Sequence, residues 1–147
     1  MSEIRHRLGI NASSVKVYDA LATREGLASW WTQEVQGASR SGGSLAFRFG
    51  DPEPMVMEVR ELSPPECVLW RCIEGPIEWM NTRVIFFLYE DGDETVLLFT
   101  HAGWSETFEF MHHCSTKWAS FLLGLKAGFE GGKATPWPDD IAISTWG

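Results

Sequence analysis

The chain has 147 residues, of which 44% are apolar and 13% aromatic, and 20 acidic against 12 basic side chains give it a net charge of −8. A chain of this length can bury about two-thirds of its unfolded surface, so we expect a single domain over residues 1–147. The scattered lysines and arginines argue against nucleic-acid binding, and the lack of any apolar run of roughly 18 residues argues against membrane insertion.

The start of the chain and its cysteines indicate the cellular compartment. Residues 1–7 lack the apolar stretch of a signal peptide, which favours a cytoplasmic protein. Cys67 and Cys72 are five residues apart on one predicted strand and therefore point to opposite faces. Cys114 lies within a helical pattern and is interpreted as a small buried residue. We expect no disulfide framework.

The first predicted elements are a strand and two short helices. Apolar and polar residues alternate over 4–9, which is typical of a strand. Capping residues at 11–14 then precede one short helix, and a second runs from Thr23 to the pair Trp30 and Trp31. One ring of this pair is expected to anchor the second helix in the core, while the other lines a cavity.

Glycine and proline turns divide the middle of the chain into strands of about six to nine residues. These turns lie at residues 41–43, 50–52, 64–65, 75–76 and 91–93. Their spacing predicts an antiparallel meander.

The last predicted element is a long amphipathic helix. Ser105 is expected to cap it, Gly131 and Gly132 end it, and its length is about 25 residues. Lys117 is predicted to face water. Its apolar stripe recurs at spacings of three and four and comprises Phe108, Met111, Ser115, Trp118, Leu122, Leu125 and Phe129.

Several segments together carry a family resemblance. They are Leu-Ala-Ser-Trp-Trp at 27–31, the glycine pair at 42–43, Leu-Ser-Pro-Pro at 62–65, the strand around Trp70, and the run 100–104 that leads into the helix. The chain resembles the AHSA1-like (activator of Hsp90 ATPase homologue) branch of the START/Bet v 1-like superfamily. The resemblance implies an α+β helix-grip fold: a curved antiparallel sheet, two short helices after strand one, and a long C-terminal helix packed over the sheet around a cavity.

The same resemblance implies a binding site between sheet and helix. Its inward positions would be Trp31, Phe47, Trp70, Phe86, Phe99, His101, Ser115 and Trp118. Large rings around a gap form an apolar pocket, so we expect a small hydrophobic ligand, aromatic or lipid-like, and no cofactor. Ser115 would either open space in the helix stripe or allow close helix-to-sheet approach.

His101 supports an alternative function. At the cavity mouth its imidazole could orient a ligand or act as an acid or base, as in a polyketide cyclase or hydrolase, with help from Arg48, Glu78 or Ser115. It could equally be a structural histidine that bonds the backbone at the helix entry.

A third hypothesis is a chaperone-associated or stress-response protein, as the family name suggests. The chain lacks the additional N-terminal domain of the chaperone activators, so direct ATPase stimulation is not expected. No metal site is expected either. His112 and His113 point about 100° apart on a helix, and Glu109 with His112 would need further ligands.

The hairpin from Thr82 to His101 has a second apolar face. The family pattern turns Val84, Phe86, Leu88, Leu97, Phe99 and His101 inward. It leaves Ile85, Phe87, Val96 and Leu98 outward. Large exposed apolar patches are rare on monomers, so a partner subunit could cover this face in a homodimer. The alternative is that the two faces are assigned the wrong way round.

Overall fold

The structure is a computed structural model that describes residues 2–147. Between these residues the strands and helices follow in the order β1 Ser2–Ile10, α1 Ser14–Ala22, α2 Arg24–Trp30, β2 Glu34–Gly37, β3 Ser44–Arg48, β4 Met55–Ser63, β5 Cys67–Glu74, β6 Arg83–Asp91, β7 Glu94–Trp104 and α3 Glu109–Phe129. A 3-10 turn at Ile77–Trp79 connects β5 to β6. No helix within residues 2–147 is long and apolar enough to span a membrane.

The strands form one antiparallel sheet in the order β1-β7-β6-β5-β4-β3-β2. The helices contribute apolar side chains to the same buried cluster as the inner face of the sheet. The expected α+β helix-grip architecture is confirmed, with two short helices after the first strand and a long C-terminal helix.

Alternation along β6 and β7 defines the two faces of the sheet. The predicted inward set Val84, Phe86, Leu88, Leu97, Phe99 and His101 is buried. On the outer face Phe87 remains 42% and Leu98 36% exposed, so the faces are assigned correctly. Val96, which was also expected to face outward, is buried. It lies between its cross-strand partners Gly9 and Tyr89, and the Glu94 carboxylate lies over Gly9 on the same face.

The two short helices are held by side-chain caps. Ser13 Oγ accepts a hydrogen bond from the Lys16 amide at 3.4 Å, and Thr23 Oγ1 accepts one from the Gly26 amide at 3.0 Å. Trp30 Nε1 donates to the Ala20 carbonyl at 2.8 Å. Trp30 is therefore the anchor between the two helices.

The sequence analysis did not predict one strand and placed the start of one helix wrongly. Strand β2 was missed because it is a short edge strand in which only Val35 is even half-buried, so it lacks apolar alternation. Ser105 does not cap α3: β7 continues to Trp104, which pairs with Ser2 and is fully buried. The helix begins at Glu109, follows Phe108 without a side-chain cap, and has 21 residues.

Candidate functional site

The interior between sheet and helix is filled by stacked aromatic rings. Trp31 lies at its centre, stacked on Trp118 with 4.8 Å and on Trp70 with 5.9 Å between ring centroids. Phe86 touches Trp70 edge-on at 5.2 Å, and Phe99 packs on Trp118 at 4.6 Å. All these rings are at most 2% exposed. They occupy the volume in which the sequence predicted a ligand.

The cavity lies beside this stack, at one end of the sheet, and measures about 770 Å³. Its walls come from the β3–β4 loop, the end of β5, the 3-10 turn, the first half of α3 and the C-terminal tail. Trp31, Phe47 and Trp118 are the predicted residues that line it. The aromatic lining also includes residues that sequence analysis did not assign to the site: Phe49, Trp79, Phe110, Phe121, Trp137 and Trp146.

The other predicted ligand contacts do not line the cavity. They are Trp70, Phe86, Phe99, His101 and Ser115. The first three belong to the ring stack, where close packing leaves no room for a ligand. Ser115 faces β1 instead, where its carbonyl accepts a hydrogen bond from His6 Nε2 at 3.1 Å. Three of the predicted ligand contacts therefore line this cavity, and the other five lie in the packed core or against β1.

His101 is a core residue, not a residue of the cavity mouth. Its side chain is 0% exposed. Thr82 Oγ1 donates to the Trp79 carbonyl at 2.6 Å, so it accepts from His101 Nε2–H at 2.8 Å. Trp118 Nε1–H donates to His101 Nδ1 at 3.2 Å. Burial lowers the pKa of His101 to about 3, so the ring is neutral and both nitrogens are occupied.

The proposed helpers of His101 are engaged elsewhere. Arg48 donates to the Pro52 carbonyl of its own loop at 2.7 Å. Ser115 Oγ lies 3.4 Å from His6 Nε2. Glu78 lies on the 3-10 turn and not among the hydrogen-bond partners of His101, which are Thr82 and Trp118. The acid–base arrangement that the enzyme hypothesis requires is not assembled.

The C-terminal tail closes one side of the cavity. The Trp137 amide donates to the Trp31 carbonyl at 2.9 Å, which joins the tail to the end of α2. Lys117 Nζ binds the Asp140 carboxylate, and these side chains are only 15% and 13% exposed. Lys117 therefore does not face water as predicted, because the tail covers it. Trp146 rests on His113 at 5.7 Å.

Ionisable groups in the lining are distributed unevenly. Asp51, Glu53 and Glu74 are exposed at the mouth, whereas the lysine of the wall is paired with Asp140. Burial, reinforced by the nearby Lys117 charge, lowers the pKa of His113, which favours its neutral form. Burial also raises the pKa of the Cys114 thiol to about 12, so it stays protonated. Over residues 2–147 no three metal-ligating side chains come together.

The family profile described as activator of Hsp90 ATPase homolog 1-like protein, AHSA1, matches residues 11–130. This chain belongs to the AHSA1-like family. Three solved structures resemble the AHSA1-like chain. The Aha1 dimer from Colwellia psychrerythraea, solved in solution, is 43% identical with a TM-score of 0.84, over 91% of this chain and 100% of that one.

The other two are more distant. CalU16 from Micromonospora echinospora is 25% identical with a TM-score of 0.79, over 97% of this AHSA1-like chain and 74% of that one. DynU16, from the dynemicin biosynthetic locus, is 20% identical with a TM-score of 0.75, over 92% of this chain and 49% of that one, and shows the fold alone. A search of curated proteins finds no match.

Proposed function

We propose that this AHSA1-like protein binds a small, largely apolar molecule, aromatic or lipid-like, in the cavity beside the Trp31 stack. The cavity itself carries the proposal. Its volume of about 770 Å³ falls within the roughly 300–1,000 Å³ of small-molecule sites. Its lining is mainly aromatic, as expected for a site that recognises apolar surface.

The walls of the cavity are pre-organised. Trp31 is stacked against both Trp70 and Trp118, and its carbonyl accepts a hydrogen bond from the Trp137 amide of the tail. Trp118 is fixed through its ring nitrogen by His101. A ligand that meets rings already locked in place loses less free energy to ordering the protein.

The binding proposal is tested by native purification, mass spectrometry of any retained molecule, and titration of the isotope-labelled protein. The chain has eight tryptophans, and each gives an indole N–H signal in a nitrogen-correlated spectrum. We expect ligand to shift the lining residues Trp31, Trp79, Trp118, Trp137 and Trp146. Trp30 and Trp104, whose indoles bond the Ala20 and His101 carbonyls, serve as internal controls. Shifts confined to the controls would place the site elsewhere.

The family description favours a second function, a chaperone-associated or stress-response role. Because direct ATPase stimulation is not expected, its test is binding of the chain to purified Hsp90, and a lack of binding would exclude association with this chaperone. A cyclase or hydrolase that uses His101 is not proposed, because both ring nitrogens are already bonded within the core.

We further propose a cytoplasmic location. Cys67, Cys72 and Cys114 are free thiols in the structure. Free thiols of this kind persist in reducing compartments. Fractionation of the source cells tests this, and recovery in an extracellular fraction would contradict it.

The partner that we propose is a second copy of this chain, bound through the outer face of the β6–β7 hairpin. Phe87 and Leu98 are opposite each other in register and both exposed, and Ile85 and Leu69 extend the patch. The 43% identical Aha1 of Colwellia psychrerythraea is a dimer. The strands β5, β6, β7 and β1 present a face of about 20 by 30 Å. This is the scale of a standard interface, which buries about 800 Å² on each partner.

Charges on this face favour one symmetry. Arg71 and Arg83 are paired at one end of the hairpin, and Asp91 and Glu94 are paired at the other. Phe87 lies midway between Arg83 and Asp91. A two-fold axis that runs across the strands at Phe87 sets the basic end of each copy on the acidic end of its partner, whereas an axis along the strands would oppose like charges.

The dimer is tested by size exclusion with light scattering. Phe87→Glu should give a monomer, while Leu123→Glu, an equally drastic change at an exposed leucine of α3, should leave the dimer intact. Arg83→Glu and Asp91→Arg should each weaken the homodimer, and mixing the two variants should restore association. A monomeric wild type would end the dimer proposal. A dimer insensitive to Phe87→Glu would end the choice of surface.

A further inference from the structure

The uncompensated charges at the cavity have one sign. Asp51, Glu53 and Glu74 stand exposed at the mouth. Lys117, the cationic side chain among the described lining residues, is neutralised by Asp140. Arg48 is bonded to the back of the Pro52 loop and does not belong to the lining. The mouth therefore carries negative potential, which the net charge of −8 reinforces.

The walls add to this preference. Indole faces carry partial negative charge and attract a cation within about 6 Å of the ring centroid. Trp31, Trp118 and Trp79 stack on one another, so they cover each other's faces. Trp137 and Trp146 of the tail line the cavity outside this stack and are less buried, so the indole faces open to a ligand are theirs. A carboxylate ligand would be repelled both by the mouth and by the ring faces.

We infer that the molecule bound in this cavity is an organic cation, with an apolar body and an amine or quaternary ammonium group directed to the acidic mouth. This inference rests on the proposed binding function and names its ligand class. The body fills the aromatic space, while the charged group lies between the tail indoles Trp137 and Trp146 and the carboxylates of Glu53 and Glu74. Fatty acids and other anionic amphiphiles are the class that this charge pattern rejects.

Three small molecules of similar size separate charge from shape. Benzyltrimethylammonium carries a positive charge, neopentylbenzene is its neutral isostere, and 4-phenylbutyrate is anionic. We expect the cation to quench tryptophan fluorescence with a dissociation constant at least about tenfold below that of the isostere, and the anion to bind most weakly. Raising the salt concentration from about 0.02 to about 0.5 M should weaken binding of the cation only, because the shorter Debye length screens its attraction to the acidic mouth.

Variants locate the charge effect at the mouth. The double substitution Glu53→Gln and Glu74→Gln should weaken binding of the cation several-fold and leave binding of the neutral isostere unchanged. The double substitution Glu25→Gln and Glu66→Gln is the matched control, since it also removes two exposed carboxylates and neither residue lines the cavity. An equal loss in the control would mean that overall charge, not the mouth, attracts the cation, and would overturn the inference.

The outcomes also distinguish this inference from the function on which it rests. If the neutral isostere or the anion binds as tightly as the cation, with shifts of the lining indole signals, the ligand class is wrong while cavity binding stands. If none of the three shifts any lining indole signal, the inference fails, and the native ligand search alone decides the binding proposal.

Discussion

Lowering the pH should destabilise the protein through His101. The pKa of this imidazole is about 3 in the folded chain, against 6.5 for an ordinary histidine. Between these two values the unfolded chain binds a proton that the folded chain does not. Stability therefore rises with pH across this window, is complete above about pH 6.5, and is lost as the pH falls.

The size of the effect follows from the shift. A pH of 5 lies about 1.5 units below the pKa of this imidazole in the unfolded chain, and each unit lowers the free energy of unfolding by about 1.4 kcal/mol. His101 alone should remove about 2 kcal/mol of unfolding free energy between pH 7 and pH 5. The cause is burial among aromatic rings: Trp79 and Trp104 lie 4.6 and 4.8 Å from the imidazole centroid.

Urea denaturation at pH 7, 6 and 5 measures this term against His101→Gln. Glutamine offers an N–H to Thr82 and an oxygen to Trp118 but does not titrate. The other histidines and the carboxylates are common to both proteins, so they cancel in the comparison. Wild type should lose about 2 kcal/mol more than the variant between pH 7 and pH 5. Parallel stability curves would refute the buried, neutral assignment of His101.

Two further predictions concern α3. Leu122→Ala should cost about 2–5 kcal/mol in chemical denaturation because Leu122 is 1% exposed; Leu123→Ala, at a neighbour that is 58% exposed, should cost no more than about 0.5 kcal/mol. Equal costs would mean that the helix presents a different face to the sheet. Lys117→Met should free the tail, since Asp140 and the Ile141 carbonyl lose their shared partner. Limited proteolysis should then cleave after residue 132 faster than in Lys126→Met, which removes a lysine of the same helix; equal rates would show that the tail is held by other contacts.

The sequence predicted the elements whose pattern is strong. Alternation placed the faces of β6 and β7 correctly, including the outward Phe87 and Leu98. The family resemblance, confirmed by the match over residues 11–130, supplied the topology. Strand β2 was not predicted, because an edge strand with one half-buried residue shows no alternation of apolar and polar residues.

The position of the cavity could not be predicted in the same way. Pattern analysis identifies which side chains point inward, but not whether inward rings enclose space or fill it. Trp70 and Phe86 fill it, because their centroids lie only 5.2 Å apart. Residues of the tail also line the site. Trp146, for example, contacts Phe110 and His113, which lie more than 30 residues before it in the sequence. The tail follows the helix without periodicity, so the sequence pattern gives no position for its side chains.

If the cavity binds a ligand as we propose, the tail would separate how tightly that ligand is held from how quickly it leaves. A molecule in the cavity is bordered by Trp137, Asp140 and Trp146, which belong to a segment fixed to α3 largely through Lys117. A ligand that left along this side, and not through the acidic mouth, would require this ion pair to break even if it did not touch it. Residence time can then be tuned by substitutions at Asp140 that leave the aromatic contacts unaltered. A family built on one scaffold could in this way adjust ligand exchange independently of ligand choice.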